Sequence, residues 1–175
     1  IQNVYIYSQP EWTALVTAAN SDISSIEDLR GKTVAATLGT DPYIFLLRAL
    51  AAEGVDASEV EVVNLQHGDG ATSLITGQVD AWAGLDPHMA RVELDSGANL
   101  FYREPDFNTY GFLNVRNDFA EKYPDYVEKV IELYEQARNW TIENPEDAIT
   151  LLANEAEISE DVATIQLGRN TFDNS

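Results

Sequence analysis

A chain of 175 residues, 45% of them apolar, suffices for one domain or two small lobes around a core. With 30 acidic against 10 basic residues the net charge is −20, which excludes nucleic acid as a partner, since no basic stripe exists to neutralise phosphates. Cysteine is absent, so disulfides, zinc–thiolate sites and thiol catalysis are excluded too.

The acidic balance reads as a solvated surface, suited to salty surroundings where screening weakens self-repulsion. No apolar run is long enough to span a bilayer. The chain opens in mid-pattern at Ile1-Gln2-Asn3-Val4, with no initiator Met and no signal peptide in view, and reads as a fragment.

Taken in order, Val4–Tyr7 forms a short strand ended by Ser8-Gln9-Pro10, and Thr13–Ala18 forms a second. Asp22–Gly31 reads as a short helical turn, capped by Ser24 or Ser25 and stopped by Gly31. The stretch Lys32–Leu50 organises the rest. Thr33–Thr37 is a buried strand, Gly39-Thr40 a turn, and Tyr43, Leu46, Leu47 and Leu50 lie on one face of a helix capped by Asp41 or Thr40. Pro42 suits its first turn. A glycine turn that delivers a strand into a helix leaves backbone N–H groups pointing outward, where they and the helix dipole can hold an anion.

Gly54 ends that helix, and Val60–Leu65 is the next strand. Gln66–Gly70 reads as another glycine turn before a helix over Ala71–Thr76, and Val79–Ala83 as a strand. Asp86-Pro87 opens a helix through Leu94, and Asn99–Tyr102 is a strand. This alternation predicts βαβ units and a mainly parallel sheet. After a last strand, Asn108–Val115, everything reads as helical: Pro124–Glu143, Pro145–Asn154 and a final helix capped by Ser159.

The segments GKTVAATLGTDPY, VEVVNLQ, GQVDAWAGLDP and NDFAEKYPDYVEKVIELYEQARNW, in that order and spacing, resemble the substrate-binding proteins of ABC importers. The resemblance is to their aliphatic sulfonate, taurine and nitrate branch, which shares the fold of the thiamine-pyrimidine-precursor binders, and it covers essentially the whole chain. It implies an α/β, type II periplasmic-binding-protein (Venus-flytrap) fold with ligand in the interlobe cleft. Residues 1–9 would end the first lobe and make the first hinge crossing. Residues 10–107 would form a complete second lobe, and 108–175 the second crossing and helices of an incomplete first lobe. The crossings fall within Ser8–Trp12 and Asp106–Gly111.

In the family a Gly-Ser-Ser-Ala-His turn holds the anionic head group. Gly39 and Thr40 fit it, whereas Asp41 places a carboxylate where a hydroxyl would stand and Tyr43 replaces the histidine. The resemblance carries Gln66, Asp86, Thr109 and Tyr110 into the candidate ligand site beside Gly39, Thr40 and Asp41. Leu85 stands where a cleft tryptophan would be, and Trp82 reads as core.

His67 and His88 lack metal-ligand spacing and read as surface residues. Asp41, Asp69 and Asp86 suggest a carboxylate hydrolase or an oxygen-rich metal site, yet all three fall at predicted helix starts, where capping accounts for them. No nucleophile elbow, P-loop or dinucleotide fingerprint is present. The expectation is therefore a non-enzymatic receptor without cofactor or metal, on the periplasmic or extracellular face of the membrane. It would touch that membrane only through a lipid anchor or by docking to its permease. An alkanesulfonate or taurine-like anion is the leading ligand, with a neutral or zwitterionic heterocycle such as a thiamine pyrimidine precursor as the alternative.

Overall fold

The computed structural model describes residues 1–172. They divide into two compact units, one made of residues 1–10 and 109–172 and the other of residues 11–108.

The unit of residues 11–108 is built on a sheet of five strands: β2 (Thr13–Thr17), β3 (Thr33–Ala36), β4 (Glu61–Asn64), β5 (Ala81–Leu85) and β6 (Asn99–Tyr102), in the order β4-β3-β5-β2-β6. β3 runs parallel to β4 and β5, whereas β2 is antiparallel to both β5 and β6. The sheet is thus mixed rather than mainly parallel. β2 (TALVT) is buried at every position, and a strand buried on both faces carries no alternation to mark its direction.

Helices α1 (Asp41–Ala52), α2 (His67–Ile75) and α3 (His88–Ser96) follow β3, β4 and β5 in turn. On one face Leu15, Val34 and Ala36 pack against Phe45, Leu46, Ala49 and Leu50 of α1. On the other, Val16, Ala35 and Trp82 pack against Ala71 and Leu74 of α2 and Met89 and Val92 of α3. Trp82 is core, as its sequence position indicates. Each fully buried side chain of this size contributes roughly 1.5–3 kcal/mol.

Asp22–Gly31 forms only a 3-10 turn, Glu27–Leu29. The serines do not cap it. Instead the Asp28 carboxylate accepts from the N–H groups of Ser24 and Ser25 at 3.0 and 2.9 Å, and from the Ser25 hydroxyl. That bracing holds the preceding residues in a turn and competes with helix.

α2 begins at His67, four residues ahead of the expected start, so Gly68 and Gly70 lie inside a helix rather than in a loop. Packing explains both glycines. A Cβ on Gly70 would fall 2.6 Å from the Trp82 indole nitrogen, and one on Gly68 would rest 3.4 Å from the His88 ring.

In the unit of residues 1–10 and 109–172, β1 (Gln2–Pro10) pairs antiparallel with β7 (Gly111–Val115) and with β8 (Asn170–Thr171). β8 is a strand where helix was expected. α4 (Asn117–Lys122), α5 (Pro124–Glu143), α6 (Pro145–Ala156) and α7 (Glu160–Gly168) complete the unit. Ser159 caps α7 by accepting from the Val162 N–H at 3.3 Å.

α5 is tied to β1 by the Tyr7–Tyr134 ring contact, centroids 5.3 Å apart, and by the Tyr5 hydroxyl donating to Glu135. Arg138 donates to the Glu135 carboxylate as well and to the carbonyl of Phe172. These donors pull the Glu135 carboxyl down to about 2, Arg138 first and Tyr5 second. No residue of α5 is buried, and Tyr126, Leu133 and Trp140 are 67%, 51% and 40% exposed.

Candidate functional site

Three chain reversals gather at one end of the five-stranded sheet. β3, β4 and β5 are parallel, so their carboxyl ends lie side by side, and each runs into a helix: β3 into α1, β4 into α2, β5 into α3. The antiparallel β2 starts at this same end, with Thr13 opposite Leu85 and the Asp86 N–H donating to the Trp12 carbonyl at 3.0 Å. Open α/β sheets place their ligand sites at the carboxyl ends of parallel strands, where first-turn N–H groups and helix dipoles meet a negative charge.

The first reversal is tightly braced. Gly39 takes a left-handed φ of +78°, which turns the chain from strand to helix at no steric cost. Thr40, in an extended conformation at φ −114°, is the N-cap residue of α1, and Asp41 is the first residue within the helix. Capping by Asp41 is therefore not what this turn uses. The Thr40 hydroxyl donates to the Thr37 carbonyl at 2.6 Å, and the Leu38 N–H donates to Asn64 Oδ1 at 3.1 Å. Because the single Thr40 hydroxyl proton goes to that carbonyl, donors toward an anion here come from the backbone.

The second reversal adds an imidazole. Gln66, exposed, is the N-cap residue of α2, and its side chain makes no capping bond; Asp69 lies in the first turn and is not the cap. His67 follows, with Nδ1 3.2 Å from the Thr37 hydroxyl oxygen, while that hydroxyl donates its proton to the Leu65 carbonyl at 2.7 Å. His67 must therefore carry its proton on Nδ1, leaving the Nε2 lone pair open.

At the third reversal Asp86 Oδ1 accepts from the Ala90 N–H at 2.9 Å and so closes the first turn of α3. Asp86 is buried. The His88 ring lies against Gly68 of α2, 3.4–3.9 Å from where a Cβ would stand. Neither histidine is an ordinary surface residue: both are half-buried. Burial holds both below the usual imidazole value, helped by the neighbouring positive charge of His88 for His67 and of Arg91 for His88.

Of the residues singled out from sequence, Gly39, Thr40, Asp41, Gln66 and Asp86 share this end of the sheet. Thr109 and Tyr110 belong to the other unit, directly after Asn108 in the chain, and Tyr110 is 47% exposed. Two residues here escaped the sequence reading: Thr37, and His67, which that reading left on the surface. Asn108 is buried, its Oδ1 accepting from the Thr13 N–H and hydroxyl at 2.9 and 3.0 Å and its Nδ2 donating to the Glu104 carbonyl. It falls inside the crossing read from the sequence, Asp106–Gly111. Glu11, just before β2, takes a bidentate pair from Arg103 at 2.7 and 2.6 Å. Among the described residues no group of three or more His, Asp or Glu is arranged to hold a metal ion, and no helix is long and apolar enough to cross a membrane.

A protein-family model described as NMT1/THI5 like matches residues 1–148. A curated relative from Escherichia coli (strain K12), provisionally named an aliphatic sulfonates-binding protein, is 30% identical over 146 residues, 83% of this chain and 46% of its own length. The crystal structure of the periplasmic aliphatic sulphonate binding protein SsuA from Escherichia coli superposes with a TM-score of 0.88 at 27% identity, over 94% of this chain and 57% of that one. The alkanesulfonate-binding protein SsuA from Xanthomonas axonopodis pv. citri, bound to MOPS, gives 0.83 at 25% identity, over 96% and 58%. The chain thus spans about half the length of the curated relatives it matches.

Proposed function

The chain belongs to the NMT1/THI5-like family and carries the type II periplasmic-binding-protein fold. From that premise we propose that it is the ligand-binding part of an extracytoplasmic receptor of an ABC importer. The receptor takes a small organic anion of the alkanesulfonate or taurine type and delivers it unchanged to a membrane permease. The observation that carries the reading is the convergence of three helix starts, those of α1, α2 and α3, at the carboxyl end of one sheet. A sulfonate is ionised at every physiological pH and offers three oxygens, a match for several backbone donors at positive helix ends. The names of the sulfonate-binding relatives, one of them bound to MOPS, support the ligand class.

The receptor works without catalysis. Asp86 is engaged with the first turn of α3, and Asp41 and Asp69 stand in the first turns of two other helices, so the three carboxylates are spread over three separate chain reversals. The protein acts on the periplasmic or extracellular face, and membrane contact comes from permease docking or a lipid anchor. Asp41 favours a second reading. As a first-turn residue that is not the cap, it suits a heterocycle bearing an amino group, such as a thiamine pyrimidine precursor.

Calorimetric titration of the full-length protein with butanesulfonate, taurine and an aminopyrimidine tests the assignment. The expected result is sulfonate binding at micromolar concentration or below, about −8 kcal/mol or more favourable, with the ligand recovered intact. Binding of the aminopyrimidine alone would replace the ligand class, and turnover of any of them would overturn the receptor reading.

A further inference from the structure

Both chain crossings are clamped at each end, and every clamp lies within a single unit. In the unit of residues 11–108, the Thr13 N–H and hydroxyl donate to Asn108 Oδ1 at 2.9 and 3.0 Å, which ties the start of β2 to the start of the second crossing. The Trp12 carbonyl accepts from the Asp86 N–H at 3.0 Å, and Glu11 takes its bidentate pair from Arg103. Phe107 is pinned to α1. Its carbonyl accepts from Arg48 at 3.1 Å, the Arg48 guanidinium lies 4.5 Å over its ring, and the Phe45 ring meets it edge-on at 6.0 Å.

The unit of residues 1–10 and 109–172 holds the other ends. Ser8 of β1 stands opposite Gly111 of β7, and a Cβ on Gly111 would strike the Ser8 hydroxyl and come within 2.6 and 2.9 Å of two Tyr7 ring atoms. Only glycine lets β1 and β7 approach this closely. Gln9 and Pro10 pair with Thr171 and Asn170 of β8. The first crossing is thus held up to Pro10 by one unit and from Glu11 onward by the other. The second is held up to Asn108 and again from Gly111. The division into units falls at the same two places.

We propose that bending between the two units is confined to the Pro10–Glu11 linkage and to Thr109–Tyr110, and that Asn108 and Gly111 are the positioning residues that confine it. This rests on the two-unit receptor reading above and not on the identity of the ligand. The Pro10 ring fixes its own φ, so the first pivot turns only on the Pro10 ψ and the Glu11 φ. The second turns on the dihedrals of two residues. Hinges are a few element-terminal residues that absorb the φ/ψ change while the packed bodies stay rigid. Two pivots this short define one axis, which makes the motion a single rotation. Asn108 suits the task because one amide serves both ways: Oδ1 accepts twice from Thr13, and Nδ2 donates to the Glu104 carbonyl at 3.2 Å. It is buried, so these bonds are shielded from water.

Spin labels on the full-length, ligand-free protein at two exposed positions, Ala51→Cys on α1 and Gln136→Cys on α5, read the spread of distances between the units; this chain has no cysteine of its own. Asn108→Ala should broaden that spread and speed exchange of the Thr13 amide about tenfold or more. Gly111→Ala, which forces β1 and β7 apart, should broaden it from the other side. Gly70→Ala, which strains the core away from both clamps, should leave it unchanged. An unaltered spread in Asn108→Ala and Gly111→Ala, or equal broadening in Gly70→Ala, would overturn the proposal. Should the variants fail to fold, relaxation-dispersion NMR of the wild type decides: exchange broadening is expected at the amides of Glu11, Thr109 and Tyr110. Broadening as strong at Thr13, Asn108 or Gly111, or none at any crossing residue, would count against it. None of these measurements uses a ligand, so failure to bind butanesulfonate would overturn the ligand class and leave the pivots standing.

Discussion

Two glycines two residues apart on α2 set up a test in which one substitution has opposite signs. Replacing a helical glycine by alanine lowers the entropy of the unfolded chain and favours the helix by about 0.5–1 kcal/mol. At Gly68 the new Cβ would meet only the His88 ring, at 3.4 Å or more, an ordinary contact. Gly68→Ala should therefore stabilise the unit of residues 11–108 by about that amount. At Gly70 the Cβ would stand 2.6 and 2.7 Å from two atoms of the Trp82 indole, and Trp82, at 1% exposure, is held in the core. Overpacking of this kind costs about 1–3 kcal/mol. With the upper half of that range applying to a pinned ring, Gly70→Ala should be net destabilising by about 1–2.5 kcal/mol. Native-state hydrogen exchange at the amides of β3 and β5 reads the stability of this unit apart from the other. If Gly70→Ala proved as stable as Gly68→Ala, the indole would not be where the argument needs it.

Thr40→Val removes the bond to the Thr37 carbonyl and should cost about 0.5–1.5 kcal/mol in stability, with Thr40→Ser restoring most of it in a denaturant titration. Asp41→Asn in the full-length protein should raise butanesulfonate affinity slightly; if Asp41 instead holds an amine-bearing heterocycle, the same change should cost that ligand about 1.5–3 kcal/mol by calorimetry. Both histidines have folded values below the unfolded 6.5, so the unfolded chain binds the extra protons. Stability of the ligand-free protein should fall as the pH drops below 6.5, and His67→Gln should reduce that slope in urea midpoints taken across pH 7.5 to 5.5. Glu135, at about 2 against an ordinary 4.5, has the opposite sign: its contribution is complete above 4.5 and is lost as the pH falls towards 2. Glu135→Gln should remove that acid-range loss, seen as a shallower dependence of α5 amide exchange on pH below 4.5.

Elements whose own residues decide them were legible. α5 starts and stops at Pro124 and Glu143 as the prolines and the apolar spacing dictate, and β6 matches residue for residue. The strand–turn–helix at Thr33–Leu50 stands in outline, because the glycine and the proline act locally, but the stripe that α1 buries is Phe45, Leu46, Ala49 and Leu50, with Tyr43 and Leu47 only half-buried. What escaped depends on partners distant in sequence. Gly68 and Gly70 punctuate the sequence like a loop, yet they are small so that His88 and Trp82 can approach. The direction of β2 is set by pairing with β5 and β6, which a strand buried at every position cannot announce. β8, two residues long, exists only because β1 offers an edge. In the site the glycine turn was visible, but the Thr40 hydroxyl's turn back onto the Thr37 carbonyl, and the link from Thr37 to His67, appear only once the chain is folded.

The place of β2 in its sheet has a consequence for how this half of the protein can be handled. The first strand of the unit is hydrogen-bonded to its last, β6, and the Asn108 side chain closes onto Thr13 at 2.9 Å. Residues 11–108 thus begin and end at nearly one point in space, which is the geometry of a cassette: a segment that can be spliced into a host loop or lifted out of one without stretching either. The same closure makes the segment an all-or-nothing product of synthesis. Until residues 99–108 have left the ribosome, β2 lacks its β6 partner and the Thr13 N–H lacks its acceptor, so the sheet cannot finish before that point of synthesis. A swap of this cassette between related chains would carry the starts of α1, α2 and α3 together.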